Sequence, residues 1–509
     1  MSNQDLAIGN RYWNDTFVDT MSLMSRGLGE EGTPDEPPKF KNYLDRPSRP
    51  FPQRLPTTLG PVTRAFTGGP PRPLDLGTLL YYGYGFSRVD VGAINGWPYH
   101  RLVPSARCFY PTELYVVTGD GVHHYDQLHH ALVELRGGDH REIVARAAGA
   151  DLSGAEAVIV LTSHFWKTAF RYRHYAYRLC TQEAGMVAGN VLMVAAALGL
   201  TGHVHYQFLD AALDHLLGLV SGEERTVAVI PLHPAGQVPG ARREPVTAAE
   251  LIAALPEIRP PFTDVGKDTT LAGDVYLVDG HSVLDSAAEF GAPPPDRPRP
   301  LGGAPVALPP AGAEPDLADA LRRRHSGGSL FRPRGESIPA SSLTRLARHL
   351  LQPYSADLGG APLGEVYLAV QRVEDLRPGV YRLNADGSGP CPVGPLPEGR
   401  LDASMMLGPP VVDVPSVNVW CYVVTDRERV TGAWGNRGYR MANMDAGVVA
   451  QRLCLLAGAE GLAARPINGY VTADVQRLLG IGEAARTPIF QIALGRRTST
   501  AQYEMPVVF

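Results

Sequence analysis

The sequence predicts an α+β fold built twice within one 509-residue chain. Two observations carry that expectation. The first is an internal repeat: RYRHYAYRLCTQEAGMVAGNVLMVAAALGL, from Arg171, returns as AWGNRGYRMANMDAGVVAQRLCLLAGAEGL, from Ala433. Tyr177 pairs with Tyr439, Arg178 with Arg440, Gly185 with Gly447, and Gly199-Leu200 with Gly461-Leu462, all at one offset of 262 residues. The offset still holds at Leu216-Leu217-Gly218 against Leu478-Leu479-Gly480. A gapless match that long marks a duplicated fold, and a duplication can carry a dimer-like arrangement inside one polypeptide. The second observation is the order of apolar segments, which runs strand, strand, strand, long helix, strand in each copy.

Residues 1–55 read as an irregular Pro-rich arm, because EEGTPDEPPKF and RPSRPFPQRLP cannot build regular helices or central strands. The first unit covers residues 56–235. TELYVV is rich in β-branched and aromatic residues and reads as a strand. GDGVHHYD supplies a turn and a second strand, and AEAVIVLTS a buried third. Thr181 to Leu198 is long and apolar enough for a buried helix, with Gly199 just past its end. TVAVIPL closes the unit as a strand. Residues 236–315 are an insertion and linker, in which TAAELIAALPEI reads as a helix and GDVYLVDG as a strand. The rest of it, GAPPPDRPRPLGGAPVALPPAGAEP, reads as extended chain. The second unit, 316–509, repeats the order with GEVYLAVQ, LRPGVYRL, VNVWCYVVTD, the helix Asp445–Glu460 and IFQIALGRR.

Composition narrows the function classes. Hydrophobic content of 44% and charged content of 19% are those of an ordinary globular protein. A net charge of −5 gives no bulk electrostatic reason to bind nucleic acid. The five cysteines, Cys108, Cys180, Cys391, Cys421 and Cys454, form no CxxC pair, so neither a zinc site nor a disulfide framework is indicated. Their scatter suits a reducing, cytoplasmic setting. The N-terminus has no basic stretch before an apolar core, hence no signal peptide is expected. The longest apolar run, Met186 to Leu200, is interrupted by Gly189-Asn190 and too short to span a bilayer, so no membrane is expected.

The chemistry-bearing segments divide unequally between the copies. The second unit opens with ALRRRHSGGSLF, which sets Arg322, Arg323 and Arg324 beside Ser326. Guanidinium forks and glycine-exposed N–H groups suit a phosphate monoester, and a solvated basic turn is the plain alternative. The unit ends with Arg496 and Arg497, which could converge on the same phosphate. Between them ARPINGY is a turn in which Gly469 could bring its N–H against a flat ring, or simply a tight turn. The first unit has one arginine, Arg64, at the matching opening, VHYQ at Val204–Gln207, and HPAGQ after its last strand. It keeps Pro104-Ser105-Ala106 ahead of a strand, where the second unit has the weaker counterpart QPYSADLGGAPLGEVYLAV.

Together VPSARCFYPTELYVV, the GVHHYD turn, the YxYR…EAG…GL run, RRRHSGG, RPING and LGRR resemble the nitroreductase-like flavoprotein superfamily. They resemble most closely its SagB-type or McbC-like azoline dehydrogenases of thiazole/oxazole-modified peptide biosynthesis. The resemblance covers both units. It implies two fused nitroreductase-like units forming an intramolecular pseudo-dimer, with FMN at the interface. By position it assigns Arg322, Arg323, Arg324, Ser326, Arg496 and Arg497 to the phosphate and Asn468 and Gly469 to the ring. The opposite unit contributes Pro104, Ser105, Ala106 and the adjoining Arg107. The division matches what each copy has kept, so one FMN site per chain is expected.

The resemblance also implies a reaction: a thiazoline or oxazoline in a ribosomally made peptide, a thiopeptide for instance, is oxidised to the azole. A base takes the Cα proton, the neighbouring Cβ hydride goes to the flavin, and dioxygen reoxidises it. Members carry a Lys-Tyr pair before the YR motif, where this chain has Arg171-Tyr172. Arginine stays protonated, so Arg171 is assigned to charge stabilisation and Tyr172 becomes the first candidate base. Lys167, four residues earlier, shares a helical face with Arg171 and is the second; His174 is the third. The matching Ala433-Trp434 of the second copy offers no base. The implied partners are an azoline-containing precursor peptide and a cyclodehydratase, for which the arm and the 236–315 insertion are the expected surfaces, and the fused chains could associate further. Two other readings stay open: a flavin oxidoreductase acting on a carrier-bound or small nitro or quinone substrate, and a flavin-free docking subunit.

Overall fold

The computed structural model describes residues 2–26, 36–52, 54–91, 98–220, 222–237, 240–242, 244–265, 267, 269–295, 303–328, 330–397, 401–407, 411–482, 485–498 and 504–507. In the first unit the strands are β1 (Thr112–Val117), β2 (Gly121–Asp126), β3 (Ala131–Gly137), β4 (Ala157–His164), β5 (Leu200–Gly202) and β6 (Glu224–Pro234). They order β3-β2-β1-β4-β6-β5, and Ser48–Pro50 of the arm adds an edge strand beyond β3. The second unit builds β7 (Glu365–Val370), β8 (Gly379–Leu383), β9 (Pro390–Gly394), β10 (Val419–Asp426), β11 (Leu462–Ile467) and β12 (Arg486–Arg496). Its order, β9-β8-β7-β10-β12-β11, is the first sheet over again, and neighbouring strands in both sheets are antiparallel. The chain therefore consists of two fused units of mixed helix and sheet with one strand order.

Helices α1 (Leu6–Phe17), α2 (Trp166–Tyr172), α3 (Ala176–Ala197) and α4 (Arg437–Ala459) complete the frame around the seam. Both α3 and α4 lie on their own sheet and against each other, so the two units share one core. α3 and α4 are accordingly buried on nearly every face, and they carry polar residues such as Arg178, Glu183, Arg440 and Asp445 into the interior. The stretch Trp166–Ala197 is long and apolar enough to cross a membrane, and most of it is buried inside this core.

Two local expectations change. Residues 2–26 are not irregular. Asp5 caps α1 by accepting from the Ala7 N–H, and Tyr12, Trp13 and Phe17 pack around Tyr439 with ring centroids 5.3, 5.3 and 6.0 Å away. The arm thus supplies aromatic surface to the seam. GDVYLVDG forms a helix, Gly273–Gly280, instead of a strand. Val275 and Val278 face the core at helical spacing, and Asp274 lies against His174.

Candidate active site

The repeat meets itself at the seam. Tyr177 stacks on its counterpart Tyr439 with centroids 6.0 Å apart and planes 27° from parallel. Arg178 of α3 crosses into the second unit, donating to the Tyr470 hydroxyl (2.8 Å) and the Ile489 carbonyl (2.7 Å). Arg440 of α4 crosses the other way to Asp210 (2.9 Å). Gln182 donates to Asn443 (3.0 Å) and accepts from Asn468 Nδ2 (2.5 Å). A first-unit helix thereby fixes the Asn468-Gly469 turn of the second.

Around that turn, residues from both units converge. Arg324, fully buried, donates to Ser326 Oγ (3.1 Å) and to the carbonyl of Arg101 in the first unit (3.1 Å). Arg465 holds the carbonyls of Ser326 (2.9 Å) and Gly328. Burial pulls the Arg465 guanidinium down to about 10, with Cys108 of the first unit opposing. Three residues after Pro104, the loop carries left-handed φ at Arg107 (51°), Cys108 (57°) and Tyr110 (50°). Glu183 of α3 accepts from the Tyr84 hydroxyl (3.0 Å), and Ser105 Oγ accepts from the Tyr110 N–H (2.9 Å). Burial pushes the Glu183 carboxyl up to about 7, with Ser105 and Tyr84 opposing.

Several polar atoms here are buried with no partner among the described residues: Asn468 Oδ1, Arg324 Nε, and all three guanidinium nitrogens of Arg101. Arg101 lies between the faces of Tyr84 and Tyr110, 4.5 Å from each centroid. Buried donors and acceptors without partners mark a place where a polar ligand completes the set. A planar molecule bearing a phosphate, as FMN does, fits a rim of arginine, serine and a glycine-containing turn.

The remaining expected phosphate ligands are engaged elsewhere. Arg322 donates to the Thr57 carbonyl (3.1 Å) and to Tyr82 Oη. Arg323 is exposed and 3.8 Å from Asp319. Arg496 gives its Nε and Nη2 to the Ser337 carbonyl, and Arg497 is exposed. Of the candidate bases, only Tyr172 lies at the Ser105 loop. Its ring is 6.3 Å from Phe109, edge to face, and burial raises its hydroxyl above the ordinary tyrosine range, with Arg107 and Arg171 opposing. Lys167 does not turn with the exposed Arg171; it is buried in an ion pair with Glu113, which also takes His124 (3.0 Å). Against its burial, Lys167 and His124 hold the Glu113 carboxyl low, while burial draws the Lys167 ammonium below the ordinary lysine range against Glu113; what ties Lys167 to this place is the ion pair itself. His174 is likewise committed, 3.0 Å from Asp274 Oδ2. Glu183, Gln182, Arg101 and Arg465 were not foreseen; the signal was polar residues inside apolar segments, as in the EAG run.

The mirror-related seam is closed by the chain itself. Tyr206 and Gln207, the counterparts of Asn468 and Gly469, both donate their N–H to the Asp357 carboxylate (3.0 and 2.9 Å). Ser355 accepts from the Val204 N–H on its carbonyl (3.0 Å), and its hydroxyl is 2.8 Å from His203 Nδ1. Gln207 and Gly291 exchange two hydrogen bonds, of 2.7 and 3.0 Å, so the linker covers this turn. Gly291 also packs on Ala433-Trp434, the counterpart of Arg171-Tyr172.

The sequence profile of the nitroreductase family matches residues 63–232 and 379–496, more than half of the chain. The chain is 27% identical over 156 residues to the microcin B17-processing protein McbC of Escherichia coli, a match covering 28% of this chain and 54% of McbC. It is 26% identical over 244 residues to the trifolitoxin-processing protein TfxB of Rhizobium leguminosarum bv. trifolii, covering 42% of this chain and 63% of TfxB. It therefore spans somewhat more than half the length of these curated relatives. A crystal structure of a nitroreductase-like protein from Anabaena variabilis superposes with a TM-score of 0.72 at 22% identity, covering 96% of this chain and 99% of that one. That likeness extends the fold over the whole length, fused units included. Members of the matching family generally use FMN. With its repeated sheet, its helix-paired seam and this match, the chain belongs to the nitroreductase family of oxidoreductases.

Proposed function

We propose that the chain is an FMN-dependent dehydrogenase that converts thiazoline or oxazoline rings in a ribosomally made peptide to the aromatic azoles. The observation that carries the reading is the inequality of the two seams. At the Asn468-Gly469 turn Asn468 Oδ1 is unpaired among the described residues, whereas at the matching turn Asp357 takes the N–H groups of Tyr206 and Gln207 and Gly291 pairs with Gln207. The substrate class is supported by the peptide-processing relatives McbC and TfxB.

Arg324 and Ser326 would hold the phosphate, with Arg322 and Arg496 turning in from their present partners; Asn468 and the Gly469 turn would meet the ring. FMN supplies the two-electron acceptor for the oxidation when bound. Ser105 and its loop would cover the ring from the other unit, with Ser105 Oγ holding the Tyr110 N–H. Tyr172 would take the azoline Cα proton onto its Oη, and Arg171 would stabilise negative charge nearby. A precursor peptide carrying azolines and the cyclodehydratase that installs them are the proposed partners.

Mass spectrometry of an azoline peptide with the protein and FMN should show a loss of two hydrogens per ring. An unchanged peptide mass across thiazoline and oxazoline substrates would remove the reading. Reconstitution should give about one FMN per chain, because Asp357 occupies the two N–H groups that the mirror site needs. A ratio near two would show that seam to be open.

A further inference from the structure

Three side-chain amides form a chain across the seam, and each fits in one orientation only. Asn443 of α4 donates from Nδ2 to the Tyr439 carbonyl (2.9 Å), which leaves its Oδ1 to α3. Gln182 of α3 donates from Nε2 to that Oδ1 (3.0 Å) and to the Ile489 carbonyl of β12 (2.9 Å). Backbone carbonyls only accept, so the Tyr439 and Ile489 anchors each demand an amide nitrogen and decide which end of Asn443 and Gln182 is which. Both hydrogens of Gln182 Nε2 are then spent, and only Oε1 is left. Asn468 has to meet that oxygen with Nδ2, as it does at 2.5 Å, and its own Oδ1 becomes the free end of the chain. This oxygen is buried and has no partner among the described residues.

The chain exists at one seam. At the 262-residue offset Met444 stands in the place of Gln182 and Tyr206 in the place of Asn468. Thr181, the counterpart of Asn443, keeps the first link by donating to the Tyr177 carbonyl (2.8 Å), but a methionine cannot carry the chain on. The seam whose turn is taken up by Asp357 is the one without the amides. A buried acceptor without a donor is destabilising, so one held in place by two fully buried amides marks a donor that a ligand brings. The donors on a flavin ring are N–H groups: N3–H in the oxidised ring, with N5–H added on reduction. An Asn468 amide turned the other way would set its own N–H against them.

We infer that Gln182 is a positioning residue: it holds the Asn468 amide with its oxygen toward the bound flavin, where that oxygen accepts a hydrogen bond from an N–H of the ring. This rests on the reading of the Asn468-Gly469 turn as the ring contact. Gln182 belongs to the first unit and Asn468 to the second, so the contact depends on the fusion of the two.

The test reads the hydrogen bond itself. FMN labelled with nitrogen-15 is bound to the full-length protein, and the proton shifts of N3–H and N5–H are followed by nuclear magnetic resonance in the oxidised and reduced states. Asn468→Leu should move one ring N–H upfield. Gln182→Leu should move the same N–H in the same direction, because its Asn468 is intact but free to turn. Gln182→Glu, which can still accept from Asn468 Nδ2, should keep the wild-type shift. FMN affinity should fall about tenfold in each leucine variant, the worth of one hydrogen bond. The double leucine variant should bind no more weakly than Asn468→Leu, since both residues act through one contact. A shift at N3 assigns the bond to both redox states, and one at N5 assigns it to the reduced ring. Unmoved N–H signals in Asn468→Leu with FMN bound would overturn the contact. A shift in Asn468→Leu that Gln182→Leu does not reproduce would overturn the positioning role. Wild-type protein that takes up no FMN would instead remove the flavin reading on which the inference rests.

Discussion

Tyr172→Phe is expected to lower azoline oxidation by about a hundredfold or more, the usual contribution of one positioned acid or base, while flavin content and folding stay unchanged. The substitution removes one hydroxyl. The phenyl ring keeps its edge contact with Phe109, so the loop before β1 and its neighbours lose no packing. The effect should fall on the rate constant at saturating peptide rather than on peptide binding. Lys167 makes the instructive contrast. Its ammonium is buried against Glu113, whose carboxylate is wholly inside the protein. Lys167→Ala would leave that carboxylate without its cation, at a cost of about 3–5 kcal/mol. Lys167→Ala should therefore appear as a lowered unfolding midpoint, with the rate per folded molecule little changed. A folded, stable and inactive Lys167→Ala protein would exchange the roles of the two residues.

The duplication and most of the strands were legible because both rest on local pattern. The 262-residue offset survives in residues on the pseudo-twofold axis, where each residue touches its own counterpart: Tyr177 on Tyr439, and Gly185 beside the turn of α4 that carries Gly447. Such residues are constrained by both copies at once. The strands from TELYVV to IFQIALGRR announced themselves through β-branched runs. The elements missed were those whose type is set by distant contacts. VYLV has the composition of a strand, but Val275 and Val278 bury one helical face and Asp274 is drawn to His174. Tyr12, Trp13 and Phe17 are spaced for a helix, yet their partner Tyr439 lies more than 400 residues away. In the site, spacing suggested that Lys167 shares a face with Arg171. No spacing rule could anticipate that the buried Glu113 of β1 would claim it. Equally, the sequence showed that the first copy lacks arginines at its turn, but not that Asp357 of the second copy occupies the vacant N–H groups.

Gly185→Ala should be strongly destabilising. A Cβ at Gly185 would lie 1.9 Å from the Met444 carbonyl oxygen and 2.6 Å from its carbon, and one at Gly447 would lie 2.2 Å from the Gln182 carbonyl oxygen. These clashes are with helix backbone, which cannot swing aside as a side chain would. The helices α3 and α4 must part instead, and the shared core parts with them. Overpacking of this kind costs about 3 kcal/mol or more, at the upper end for a single added methyl. Gly189→Ala is the internal control. Its nearest atom, Val448 Cα, would be 3.0 Å away, so it should be clearly milder. Because Gln182 links α3 to both Asn443 and Asn468, separating the helices also pulls the Asn468-Gly469 turn from the site. Gly185→Ala should thus lose stability and flavin together, read by denaturant unfolding and by flavin absorbance after gel filtration. In a family member made of two chains, that wedge would act on dimerisation and its effect would fall with protein concentration. In this chain the partner is tethered, so the shift in unfolding midpoint should be independent of concentration. A Gly185→Ala protein as stable as wild type would mean that the two halves do not meet where their repeat coincides.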